Sequence, residues 1–333
     1  ASRGVDVRIV VDGFGARNLD QRHRRPLESA GVQIRVFRPE RELLKHLVAL
    51  KRARLRRMHR KLALIDGRTA FAGGINIIDD ATGNTDSVRL DFAVRIQGPL
   101  VEPIGRAMDR QWLMLTRFGS RLRKHLTNPS PTILHAAPAG ERLAALVLRD
   151  NLMHRRAIEQ SYLLAIRQAR EHITLAMAYF IPSQKILAEL LDASQRGVRV
   201  TLLLQGRIEY RLQHYAAQAL YATLLTHGIR IFEYRPGFMH AKAAVIDGIW
   251  STVGSANLDP FSLLVAREAN IVIRDQLFAA TLQRQLDLAI HTHSKEITIQ
   301  AWLKQPKLHR LLRGACALLL YRVLRLTGYA DNY

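Results

Sequence analysis

Apolar positions follow two periods along this chain. Short runs rich in β-branched and aliphatic residues read as strands: GVDVRIVVDG (4–13), AGVQIRVFRP (30–39), KLALI (61–65), AALVLRD (144–150), HITLAMAYF (172–180), GVRVTLLLQG (197–206) and HGIRIFEYRP (227–236). Between them, RRAIEQSYLLAIRQAREH (155–172) and SQKILAELLDASQRG (183–197) carry apolar residues at helical spacing. A third such pattern, LHRLLRGACALLLYRVLRL (308–326), is studded with arginine and predicts a helix lying on a surface, either that of the protein or that of a membrane. Three prolines in LTNPSPTILHAAPAGER (126–142) mark a linker. The expected organisation is a first unit at 1–126, a linker at 127–142, a second unit at 143–295 and a C-terminal amphipathic basic helix at 296–333.

The strands repeat. GVDVRIVVDG matches GVRVTLLLQG, AGVQIRVFRP matches HGIRIFEYRP, and MHRKLALIDG (58–67) matches MHAKAAVIDG (239–248) at seven of ten positions. FAGGIN (71–76) then matches STVGSAN (251–257), and 17 positions separate His from Asn in both copies. Four blocks in one order define a duplicated α/β unit of alternating strands and helices. The second copy opens with a strand–helix–strand–helix segment absent from the first, so the first repeat is expected to be incomplete at its start, with apolar surface left open. The first copy instead carries an insertion, ERELLKHLVALKRARLRR (40–57), which runs straight into the His motif; six of residues 51–60 are Lys or Arg. It reads as an anion-facing flap or a solvated basic helix.

Composition adds the partner. The chain has 333 residues, 48% of them hydrophobic, enough for a substantial core. Lys plus Arg number 50 against 28 Asp plus Glu, a net charge of +22. Such an excess calls for nucleic acid or phospholipid headgroups. Aromatics are only 7% and are not interleaved with basic residues as a base-stacking platform requires, which disfavours nucleic acid. Cys316 is the one cysteine, so an intrachain disulfide and a Cys-rich metal site are both excluded, and a reducing compartment fits. ASRGVDVRIVVDG (1–13) has no apolar stretch of signal-peptide type, and no segment reaches the roughly 18–20 apolar residues of a spanning helix.

The chemistry lies in the duplicated His-x-Lys. On a strand, alternation puts His59 and Lys61 on one face, as it does His240 and Lys242. Asp66 and Asp247 fall on the opposite face, better placed to support structure than to touch a substrate. Brought together by a pseudo-two-fold, the two faces give two imidazoles and two ammoniums around one cavity. Asn76 and Asn257 follow small-residue turns that permit close approach and add amide donors for a phosphate. Fixed positive charge can neutralise an anionic phosphodiester. One neutral imidazole can attack phosphorus, and the other can protonate the leaving alkoxide and later deprotonate an acceptor. Asp91 and Glu268 occupy the matching strand after each motif, 32 and 28 residues past the His of the same half, and are candidates to orient the rings. A metal is disfavoured because Lys would repel it.

These residues resemble the signature of the phospholipase D superfamily, His-x-Lys-x4-Asp followed by Gly-Gly or Gly-Ser and Asn: His59, Lys61, Asp66, Gly73, Gly74 and Asn76, then His240, Lys242, Asp247, Gly254, Ser255 and Asn257. RMHRKLALIDGRTAFAGGINI, DFAVRIQGPLV and VGSANLDPFSLLVAREANIVI are most similar to bacterial cardiolipin synthases of the shorter type, without N-terminal membrane spans. The resemblance implies an α/β fold of two pseudo-symmetric phospholipase D-type α-β-α repeats packed face to face. It implies a catalytic set of His59, Lys61, Asp66, His240, Lys242 and Asp247, with Asn76 and Asn257 binding phosphate and no metal or other cofactor. The implied reaction moves a phosphatidyl group from one phosphatidylglycerol to another through a phosphohistidine, releasing glycerol, at the cytoplasmic face of the bacterial inner membrane. His59 would be the nucleophile and His240 the acid/base, although the near-symmetry permits either order. The alternative is a phosphodiesterase of the same fold hydrolysing phospholipid or nucleic acid. Trp302 and the C-terminal helix are expected to anchor the chain at the lipid interface.

Overall fold

The computed structural model describes residues 1–16, 19, 21–39, 56–78, 89–115 and 140–326. The insertion at 40–57, apart from Arg56 and Arg57, and the linker before residue 140 lie outside the described residues.

The first half contains β1 (Arg8–Asp12), α1 (Gln21–Ser29), β2 (Gln33–Phe37), β3 (Lys61–Ile65), β4 (Thr69–Gly73), β5 (Ala93–Gln97) and α2 (Val101–Met114). The second contains β6 (Leu143–Arg149), α3 (Ala157–Gln168), β7 (His172–Met177), α4 (Gln184–Gln195), β8 (Arg199–Gln205), α5 (Arg211–Gln218), α6 (Tyr221–Thr226) and β9 (Arg230–Tyr234). It continues with β10 (Lys242–Ile246), β11 (Trp250–Gly254), β12 (Glu268–Arg274), α7 (Gln276–His293) and β13 (Ser294–Ile297). The chain then forms α8 (Ile299–Leu303) and α9 (Lys307–Leu326). The stretch from 296 onward is therefore more than one helix: β13 extends the sheet along β9, and α8 precedes the long helix.

The second half folds around an eight-stranded sheet in the order β13-β9-β8-β7-β10-β11-β12-β6. β7, β8 and β9 are parallel and joined by helical crossovers, as a βαβ pattern demands, while β10 to β12 form an antiparallel meander. Helices α3, α4 and α6 cover one face of this sheet. Against the other lie α7 and the β5 side of the first half.

The pairing β7–β10 welds the parallel part to the meander. Among the described residues the first half has no counterpart of β7, so its strands fall into a separate β1–β2 pair and a three-stranded β3-β4-β5 sheet. The burial follows. All five residues of β10 are buried, whereas β3, with one edge unpaired among the described residues, is mostly part-exposed and leaves Ile65 52% exposed. Ala70, Ala72 and Ile96 of the small sheet pack with Ile271 and Ile273 of β12 and with Val101 and Ile104 of α2, so the two repeats share a core.

Candidate active site

Each His-x-Lys segment enters its strand from a tight zipper with the other half. His59 N–H donates to Arg267 O at 3.0 Å and Arg267 N–H to Arg57 O at 2.8 Å. The pseudo-symmetric pair repeats this: His240 N–H donates to Leu90 O at 2.8 Å and Leu90 N–H to Phe238 O at 2.9 Å. Arg267 and Leu90 immediately precede Glu268 and Asp91. The zipper therefore delivers each carboxylate to the histidine of the opposite repeat.

This corrects the assignment within halves. His240 Nδ1 lies 2.7 Å from Asp91 Oδ2, and His59 Nδ1 lies 3.0 Å from both carboxylate oxygens of Glu268. A carboxylate accepts only, so both rings hold their proton on Nδ1 and leave Nε2 as the reactive nitrogen. The ring centroids are 6.4 Å apart at 71°. Reacting atoms meet at roughly 3–3.5 Å, so one phosphorus placed between the rings is within reach of both.

Small residues make room for the crossing. A Cβ on Gly74 would stand 2.2 Å from Asp91 Oδ1. At the matching position Ser255 donates its hydroxyl to Glu268 at 2.5 Å, steadying the second carboxylate.

The lysines lie beneath the rings. Lys61 Nζ donates to His59 O at 2.9 Å, and Lys242 Nζ donates to His240 O. Each ammonium has two further donors for a ligand. Burial depresses both, Lys61 to about 8 and Lys242 to about 7, against the opposing pull of Glu268 and Asp91. Burial also lowers both histidines, His240 to about 4, with Lys242 pushing down and Asp91 pulling up; for His59, Glu268 opposes the fall. The resting pocket thus holds neutral imidazoles. A bound phosphodiester would bring a negative charge between them, and that charge favours protonation of imidazole and amines alike.

The motif aspartates stand elsewhere. Asp66 and Asp247 lie at the far ends of β3 and β10, about 15 Å along the strand from the lysines. Both adopt positive φ, 52° and 50°, followed by Gly67 and Gly248 at 62°. Asp-Gly in left-handed conformation is what a type I′ hairpin turn requires. Asp247 also accepts N–H bonds from Arg170, Glu171 and His172 at 2.8–3.0 Å, which keeps its carboxyl below its usual range and ties the β10–β11 turn to the start of β7. These contacts are structural, and neither aspartate joins the imidazoles.

Asn257 is buried, and its Oδ1 accepts Tyr179 N–H at 3.3 Å, leaving the amide nitrogen as its donor end. Asn76 follows Gly74 at the matching place and is part-exposed. Two roles escaped sequence reasoning. Ser255 was legible as part of the doubled motif, but not as a hydroxyl donor to Glu268. Asp259, two positions beyond Asn257, is buried, accepts Ser262 N–H at 2.8 Å, is pushed up to about 7 by burial, and feels the charges of Glu268 and Lys242. An acid shortly after the Gly-Ser-x-Asn turn was the available signal.

A doubled His-Lys pair with crossed carboxylates, seated at the seam of two α/β repeats, defines a phosphodiester-transfer enzyme of the phospholipase D type. A family model described as "Cardiolipin synthase, PLD-like domain" matches residues 1–112 and 162–289. The chain is 36% identical over 307 residues to Cardiolipin synthase B of Escherichia coli (strain K12), covering 89% of this chain and 70% of that protein. It is 30% identical over 328 residues to Cardiolipin synthase A of Proteus mirabilis (strain HI4320), covering 95% of this chain and 64% of that protein. Among solved structures, the phosphatidylserine synthase of Haemophilus influenzae Rd KW20 shares the fold, with a TM-score of 0.64 at 13% identity over 98% of this chain and 90% of that one. The chain belongs to the phospholipase D-like cardiolipin synthase family.

Proposed function

We propose that the chain makes cardiolipin by transferring a phosphatidyl group between two phosphatidylglycerol molecules, with His59 and His240 as the reacting pair. The observation that carries the reading is the pair of imidazoles 6.4 Å apart, each held in one tautomer by a carboxylate from the other repeat.

His59 is the more open of the two, its side chain 33% exposed against 10% for His240. Its Nε2 attacks phosphorus of the first phosphatidylglycerol, and the P–O bond to the headgroup glycerol breaks. The imidazolium of His240, formed under the charge of the bound phosphodiester, gives its Nε2 proton to the leaving oxygen, and glycerol departs. Neutral His240 then takes the proton from a headgroup hydroxyl of the second phosphatidylglycerol. That oxygen attacks the phosphohistidine, the N–P bond breaks, and His59 returns to its resting form. Lys61, Lys242, Asn76 and Asn257 hold the non-bridging phosphate oxygens, where charge accumulates in both transition states. Asp91 and Glu268 orient the rings and stabilise whichever becomes imidazolium.

The working place is a membrane surface carrying anionic lipid, and we assign it to the cytoplasmic face of the bacterial inner membrane. No helix among the described residues is long and apolar enough to cross a bilayer.

The test supplies phosphatidylglycerol vesicles and follows products by mass spectrometry. Cardiolipin and glycerol should appear in equal amounts, and His59→Ala and His240→Ala should each remove turnover by several orders of magnitude. Phosphatidic acid with no cardiolipin would identify water as the acceptor and reject the transferase reading. A histidine variant working at the parental rate would reject the shared site.

A further inference from the structure

α9 shows its apolar side to the outside. At about 100° per residue, Leu308, Leu311, Leu312, Leu318 and Leu319 fall with Arg322 within an arc of about 120°. All five leucines are exposed, Leu308 by 73% and Leu311 by 71%. The opposite arc, carrying Arg313, Leu320 and Leu324, is the buried one. Arg313 is held there deliberately: its Nε donates to Gln218 Oε1 at 3.0 Å, and its guanidinium lies 4.1 Å over the ring of Trp302. Trp302 itself is 4% exposed and packs on Tyr221, so it is part of the core and not an interfacial anchor as its sequence context suggested.

The helix ends near the catalytic seam. Leu320 and Leu324 pack on Ala216 with Ile181 and Phe261 alongside. Ile181 N–H is bonded to Leu258 O, and Phe261 opens the turn beyond Asp259, so the C-terminal part of α9 abuts the loop that carries Asn257. On the first-half side, Ile75 and Ile77, which bracket Asn76, are exposed as well.

Charge selects the occupant of the leucine face. Residues 299–326 contain no Asp or Glu, and Arg310 and Arg322 are exposed on α9. A second copy of this face would set arginine against arginine with no carboxylate to separate them. Anionic headgroups around an apolar interior match both features. We infer that the outward leucine face of α9 is the surface by which this chain docks on an anionic lipid bilayer, bringing the His59–His240 pair to the headgroup layer. This rests on the proposed lipid substrate for its purpose, but its geometry is independent of the reaction.

The experiment is flotation of the full chain with phosphatidylglycerol–phosphatidylcholine vesicles, with phosphatidylcholine vesicles as reference. Wild type should float with the former. The triple variant Leu311→Ser/Leu318→Ser/Leu319→Ser removes only exposed side chains; its thermal unfolding should match wild type while vesicle binding falls about 100-fold or more. Leu277→Ser, an equally exposed leucine on α7, should bind as wild type does. Arg310→Glu/Arg322→Glu should abolish the preference for anionic vesicles. The inference is overturned if the triple variant floats like wild type. It is also overturned if sedimentation shows a wild-type dimer that the triple variant dissolves while vesicle binding persists, which would give the face to a second copy. Wild type that floats but makes no cardiolipin would overturn the proposed reaction, and loss of flotation in the triple variant would still establish the surface.

Discussion

Asp91→Asn is the sharpest probe of the crossed arrangement, because it alters the first repeat and should silence the histidine of the second. The Asp91 carboxylate is 5% exposed and stands 2.7 Å from His240 Nδ1. A buried charge-assisted hydrogen bond contributes about 2–3 kcal/mol, which corresponds to roughly 30–150-fold in rate. The amide adds a second effect. Its nitrogen can donate where the carboxylate only accepted, so the ring is free to move its proton to Nε2, where it can no longer act as a base. In serine proteases the equivalent carboxylate-to-amide change lowers kcat about 10⁴-fold. Turnover to cardiolipin should therefore fall between about 10² and 10⁴ with the fold intact. The assay pairs steady-state cardiolipin formation with ¹⁵N NMR of the imidazoles. The Nδ1–H resonance of His240 should move, and that of His59 should stay. Turnover within threefold of wild type, or a shift confined to His59, would refute the crossed pairing.

Other expectations follow from the same geometry. Both lysines must be charged to hold phosphate, and their folded pKa values, about 7 for Lys242 and about 8 for Lys61, lie below the ordinary amine value; the charged forms are lost as pH rises through that window. The kcat/KM for phosphatidylglycerol should accordingly fall above about pH 7–8, and a flat profile to pH 9 would exclude these ammoniums from binding. Gly74→Ala places a methyl group 2.2 Å from Asp91 Oδ1, so it should lower kcat as Asp91→Asn does while leaving Glu268 undisturbed; an unimpaired Gly74→Ala enzyme would show that the carboxylate has room to move. Asp247→Ala strips acceptors from three N–H groups of the loop before β7 and should cost about 2–4 kcal/mol in denaturant unfolding, with residual activity tracking the folded fraction. A well-folded but inert Asp247→Ala would return that residue to the chemistry. His240 sits neutral, lowered to about 4 from an unfolded value near 6.5, so the unfolded chain binds the extra proton. The His240 contribution is thus lost as pH falls from about 6.5 toward 4, while Asp259, raised to about 7, gains over the same window, so the check is the ring itself: its NMR titration should show a midpoint near 4, and a midpoint near 6.5 would show that the imidazole is not enclosed.

The strands and their duplication were readable from local signals, since alternation and β-branched runs act within ten residues. KLALI is β3, and the helical spacing at 155–172 becomes α3. The His-x-Lys parity was also local, because it depends only on the two-residue period of a strand. The crossing of Asp91 and Glu268 was hidden, since spacing along the chain favours a partner in the same half and the zipper that exchanges them consists of backbone bonds. The division of the first-half sheet follows from the strand–helix–strand–helix segment that only the second copy carries; the pattern did not show that β1–β2 would then part from β3-β4-β5. Trp302 was misplaced for a related reason: an aromatic next to a basic amphipathic helix fits interface and core equally well, and only Tyr221 and Arg313 decide between them.

The exchange of carboxylates gives the enzyme a built-in interlock. Prying the repeats apart would break the backbone links at Arg267 and Leu90 and would, in the same movement, release both imidazoles from the groups that set their tautomers. Neither lobe is fully competent alone, so a chain whose lobes have not closed forms only slowly the phosphohistidine that stray water would squander.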